Sequence, residues 1–247
     1  MLNRAQENIL DFKARQTAFF QSEPYIRFVE IDPKTGHEIH KLRFTRDVPD
    51  HIEAVVADAF NNIRHTLDQA MTASKLALNP GHSAKVYFPF ARDADDLEVV
   101  IRNKCKGIDP TVLDYVRSLK PYPYPDGHIL LSALTQLAGP NKHQALTPVA
   151  VIADQGATVV GFDPKKADEF MPWPEWDSAK RELTLFRKRP GSKHYGRVEF
   201  TAQIELGDNP AKLKAPVWQM VNFMGQIVAG ILEKIEAITL GEIASRS

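Results

Sequence analysis

Residues His51–Leu78 read HIEAVVADAFNNIRHTLDQAMTASKLAL. Ile52, Val55, Val56, Ala59, Phe60, Ile63, Leu67, Ala70 and Met71 recur at steps of three and four, the spacing that keeps one stripe of an α-helix dry. Asn61, His65, Asp68 and Thr72 fall on the opposite side, with Arg64 at the border. The stretch predicts a long helix with one core face and one polar face rich in groups that can bind or transfer a proton.

Outward from this helix the chain divides by its punctuation. Upstream, residues 3–20 read as a helix ended by Pro24. Residues 25–46 then alternate on both sides of the turn Asp32-Pro33-Lys34-Thr35-Gly36, a β-hairpin signature. Downstream, Asn79-Pro80-Gly81 stops the helix, and Val86-Tyr87-Phe88-Pro89-Phe90 reads as an edge strand or a clip laid on the core. Two short helices follow, about 93–103 and 111–119, the second opened by Asp109-Pro110. Lys120-Pro121-Tyr122-Pro123-Tyr124-Pro125-Asp126-Gly127 can be neither helix nor central strand.

A helix is expected over about 128–150 and a β layer over 157–206, with Asp163–Asp177, including Pro172-Trp173-Pro174-Glu175-Trp176, as a loop whose indoles fold back onto that layer. A last apolar helix covers 216–239. The expected architecture is therefore one α+β domain spanning 1–247. Four main helices form a bundle, with the hairpin and a small antiparallel β layer inserted between them.

Composition narrows the function classes. Thirty-one Lys plus Arg balance thirty-one Asp plus Glu, so no global field draws in nucleic acid or an anionic membrane, and either would need a local patch. The amino terminus lacks a continuous apolar core, and Gln219, Asn222 and Gln226 interrupt the last helix, so neither a secretory signal nor a membrane span is expected. A single cysteine, Cys105, fits a reducing cytoplasm; its flanking lysines could lower the thiol pKa, but no His-and-acid pattern accompanies it. No zinc-ligand cluster, calcium loop, phosphate loop or nucleophile elbow is legible, so neither metal, cofactor nor catalytic residue is assigned.

The polar face of the long helix is the first candidate site. Arg64 and Asp68 are one turn apart, as are Asn61 and His65. Arg64 and His65 could bind phosphate and carry a proton, whereas spacing alone favours a solvated face with an intrahelical Arg64–Asp68 ion pair. Asn141-Lys142-His143 is the second: Asn141 suits a helix cap, which would leave Lys142 and His143 to point towards a cleft. Together Arg64, His65, Asp68, Lys142 and His143 make the candidate ligand-binding set, with Arg64, His65, Lys142 and His143 bordering one anion-accepting groove.

Asn62-Ile63-Arg64-His65-Thr66-Leu67-Asp68-Gln69, with Lys120-Pro121-Tyr122 and Asn141-Lys142-His143 further on, resembles a family of uncharacterised bacterial proteins with an Asn-Leu-Arg-x-x-Leu-Asp-His-like helix. That resemblance brings no activity with it. Arg64 and His65 are also similar to the start of the Arg-x(4–6)-His motif of HEPN domains, four-helix bundles that include RNases and RNA- or nucleotide-binding modules. Gln69, Ala70 and Met71 stand where the motif's histidine would fall. The resemblance thus implies an RNA- or nucleotide-associated module without the acid or base of metal-free RNA cleavage. The alternative is a structural or interaction protein that forms a homodimer through the long or the last helix.

Overall fold

A computed structural model describes residues 2–81, 85–138, 146–151, 159–160, 170–177, 179–192, 197–198, 201–206, 213 and 215–246. The chain is α+β, and its described elements run α1 (Leu2–Gln21), β1 (Tyr25–Ile31), β2 (Glu38–Phe44), α2 (Asp50–Leu78), α3 (Ala94–Lys104), α4 (Pro110–Ser118), α5 (Ile129–Leu137), β3 (Leu146–Val151), β4 (Val159–Val160), β5 (Phe170–Asp177), β6 (Glu182–Lys188), β7 (Arg197–Val198), β8 (Thr201–Leu206) and α6 (Val217–Arg246). Contacts cluster into two compact units, one of residues 1–13, 51–145 and 206–247, the other of residues 14–50 and 146–205.

In the helical unit, α2 buries Ile52, Val56, Ala59, Phe60, Ile63, Leu67 and Met71, the stripe that its spacing predicts. Val55 and Ala70 are only half-buried. Thr66, Ser74 and Lys75 extend the buried surface beyond the apolar residues. The Thr66 hydroxyl donates to the Asn62 carbonyl at 2.7 Å. Ser74 accepts a 2.7 Å hydrogen bond from the Thr239 hydroxyl of α6, so this buried polar pair is satisfied within the core.

α6 presents Met220, Val221, Met224, Val228, Ile231 and Ile235 inward. Its seam with α5, lined by Leu130, Leu131, Leu134, Met224, Ile227 and Val228, leaves no space for a water molecule. At the far end of α6, Arg246 pairs with buried Asp109 and donates to the Leu78 carbonyl at 3.3 Å, tying the end of α2 to the start of α4. Asp109 and Asp93 cap α4 and α3 by accepting from Thr111 N at 2.9 Å and Asp96 N at 2.7 Å.

The expected helix over 128–150 is shorter. α5 ends at Leu137, Ala138 is already extended, and residues 146–151 form strand β3. In the described strand, Thr147-Pro148-Val149 combines β-branched residues with a proline that a helix interior would exclude.

The second unit holds a four-stranded antiparallel sheet in the order β1-β2-β6-β5. The hairpin is present at its predicted place; Asp32 takes the Lys34 amide and the Thr35 hydroxyl, both at 2.9 Å, and Gly36 supplies the positive φ that closes the turn. β2 pairs with β6, so the hairpin and the later β segment make one sheet rather than two insertions. Leu42, Phe44, Leu183 and Leu185 form its core with Phe20, Tyr25, Trp176 and Phe186 packed against them. Glu182, 5% exposed, is held by Arg43 at 2.7 Å and Lys41 at 3.4 Å, and Lys41 also reaches Glu30.

Residues 170–177 are strand β5, not the expected loop. Pro172 and Pro174 fit there because β5 is an edge, and the register with β6 shifts between Pro172 and Glu175. Trp176 does fold onto the layer, edge-on to Phe44 at 5.6 Å. No described helix is long and apolar enough to cross a membrane.

Candidate functional site

The segment Val86–Ala91 crosses the helical unit as a clip rather than a strand, and its backbone is tied at four points. Phe88 N donates to Asp68 Oδ1 at 2.8 Å, Tyr87 N to the Lys104 carbonyl at 3.1 Å, and Ala91 N to the Pro121 carbonyl at 3.0 Å. Cys105 Sγ lies 3.4 Å from the Tyr87 carbonyl. Val86 and Phe88 point into the core, which leaves Tyr87 46% exposed and Phe90 half-buried.

The proline-rich loop that receives Ala91 is itself closely packed. His128 N returns to the Lys120 carbonyl at 2.8 Å, and a Cβ at Gly127 would lie 1.9 Å from the Tyr122 carbonyl oxygen, so only glycine fits that approach.

Between α2, this clip and α3 lies a groove of about 580 Å³, lined by Arg64, Tyr87, Phe90, Arg92, Asp96 and Lys104 among others. Arg64 is half-buried, its guanidinium 5.9 Å from the Phe90 ring centroid. The expected Arg64–Asp68 ion pair is not formed, because the Asp68 carboxylate is turned to the clip backbone. Among the described residues Arg64 makes neither a hydrogen bond nor an ion pair, and the same holds for the Lys104 ammonium.

Arg92 differs. Its Nη2 and Nε reach the two carboxylate oxygens of Asp96 at 3.0 and 3.3 Å, and its backbone N donates to the same group at 2.9 Å. The Arg92 guanidinium holds the Asp96 carboxyl below its usual range. The groove therefore carries one ion pair, Arg92 with Asp96, and two cations, Arg64 against Phe90 and Lys104, that make no hydrogen bond or ion pair among the described residues, although the Lys104 charge also acts on Asp96.

Of the residues singled out from sequence, Arg64 lines this groove and Asp68 positions its wall. His65 is exposed and is not among the groove's lining residues. Lys142 and His143 lie outside the described residues. Gln69 is exposed on the polar face of α2.

Sequence reasoning misses Arg92 and Lys104, which are separated from Arg64 by 28 and 40 positions, and reads Tyr87 and Phe90 only as clip residues. The signal available is the alternation in KVYFPF, which sends Tyr87 away from the core side of Val86 and Phe88; the half-exposure of Phe90 does not follow from it. Cys105 is not an activated thiol. Burial pushes it up to about 12 despite Lys104 nearby, which removes the nucleophile that its flanking lysines could have supplied. No group of three or more potential metal ligands occurs among the described residues. No protein-family model, curated protein or solved structure matches this chain.

Proposed function

We propose that this chain is a cytoplasmic, HEPN-like, non-catalytic module that associates with RNA or a nucleotide through the groove at Arg64. In this reading α1, α2, α5 and α6 make up the four-helix bundle. The observation that carries it is the guanidinium of Arg64, set over Phe90 in a groove and without a carboxylate partner among the described residues. A guanidinium beside the half-buried Phe90 ring, in a groove that the exposed Tyr87 also lines, suits a phosphate with a base attached, since arginine recognises phosphate through its planar fork and any base can stack.

Binding rather than cleavage is favoured because Gln69 occupies a place where the motif would need a histidine, and an amide cannot take or deliver a proton near neutral pH. Single-stranded RNA should bind at low salt without being cut. Arg64→Glu should weaken binding at least tenfold and lower the slope of log affinity against log salt by about 1, with an unchanged circular dichroism spectrum. Unchanged affinity in that variant would remove the proposal.

The second reading is a homodimer without chemistry of its own. It is favoured by Phe223 and Leu240 on α6, each 58% exposed, which are large apolar side chains without cover among the described residues. Light scattering after size exclusion should then give twice the chain mass, and Phe223→Ser should shift it to one. A monomer at all concentrations would end this reading.

A further inference from the structure

We infer that the groove at Arg64 takes a nucleotide bearing a terminal monoester phosphate, its dianion held between Arg64 and Lys104 and its base against Tyr87 and Phe90. This deepens the proposed function and rests on it. Charge counting comes first. Three cations line the groove, but Arg92 is committed to Asp96 through two side-chain bonds and a backbone bond. Arg64 and Lys104 remain, without a hydrogen bond or ion pair among the described residues. An internal phosphodiester brings one negative charge, whereas a monoester carries about 1.5 to 2 at pH 7, which matches two unpaired cations.

Geometry points the same way. Tyr87 N donates to the Lys104 carbonyl, so the end of α3 presents its ammonium with that carbonyl already satisfied. A bare acceptor there would repel a phosphate. Arg64 keeps its guanidinium in place through the Phe90 ring, leaving its N–H groups available. The volume of about 580 Å³ is that of a pocket for one small ligand rather than of a channel for a length of strand.

The experiment is a competition titration of the full chain at low salt, pH 7.5, against a labelled 5′-phosphorylated adenylate hexamer. The competitors are the 5′-hydroxyl hexamer, adenosine monophosphate, adenosine and inorganic phosphate. The phosphorylated hexamer should bind at least tenfold more tightly than the hydroxyl form. The preference should shrink towards pH 5 as the monoester dianion takes up one proton, near a pKa of about 6, and becomes a monoanion. Lys104→Gln should remove the preference for the phosphorylated hexamer over the hydroxyl form; a preference retained in that variant would overturn the inference.

Competition by adenosine monophosphate equal to that of the phosphorylated hexamer would identify a free nucleotide as the occupant. Competition by the hexamer alone would identify an RNA end; both outcomes support the inference. Inorganic phosphate competing as well as adenosine monophosphate would overturn it, since no base would then be held. Equal affinity for the two hexamers would overturn it while leaving RNA association standing, and failure of every probe to bind would remove both.

Discussion

Asp68 and Arg64 sit one helical turn apart with opposite charges, yet each serves a different neighbour. A carboxylate accepting a backbone N–H in a partly buried place satisfies a donor that has no other partner, worth about 1.5–3 kcal/mol, whereas an exposed intrahelical ion pair contributes at most a few tenths. The stronger interaction draws Asp68 to the clip, and Arg64 is left facing the groove. His40 shows the same competition in the sheet. It stacks on Phe186 with ring centroids 4.2 Å apart, and burial holds its pKa below 6.5, partly offset by Glu38 with a carboxylate oxygen 3.4 Å from Nε2. Because the folded protein binds this proton less readily than the unfolded chain, the stabilisation is complete above pH 6.5 and declines as pH falls through the lower folded value. Urea unfolding at pH 8 and pH 5.5 should show lower stability at pH 5.5, and His40→Gln should flatten that difference. An equal loss in the variant would assign the effect elsewhere.

At the scale of elements, what was legible in the sequence is what local periodicity and punctuation control. The stripe of α2, the hairpin at residues 25–44, the cap at Asp109 and the last helix are each set by neighbours a few positions away. Ser74 and Lys75 escaped because their burial depends on what packs against α2, as with Thr239 across 165 positions. β5 escaped because two prolines argue against a strand until it is known to be an edge. The clip was legible as a clip but not its attachment to Asp68, which joins residues 20 positions apart. Asp68→Ala should cost about 1–3 kcal/mol in chemical denaturation and also weaken nucleotide binding by loosening Tyr87 and Phe90. Asp68→Asn keeps an acceptor oxygen and should retain most of both. Equal damage from the two variants would mean that the charge, not the hydrogen bond, holds the segment.

For the molecule as a whole, long-range pairing was the part hidden in the sequence. β2 and β6 join residues about 140 positions apart, and their register is fixed by side chains such as Glu182, which meets Lys41 and Arg43 from the hairpin. The groove is assembled in the same way: α2 brings Arg64, the clip brings Tyr87 and Phe90, and α3 brings Lys104, each sensible locally and informative only together. Near-zero net charge makes this local concentration of cations and rings the feature on which the proposed nucleotide association depends. The most direct measurement is photo-crosslinking of the chain to 4-thiouridine RNA, followed by tryptic mass spectrometry. Crosslinks should fall on the peptide of residues 86–92, VYFPFAR, and disappear in Arg64→Glu. Crosslinks confined to other peptides, or unaffected by that substitution, would contradict nucleotide association at this groove.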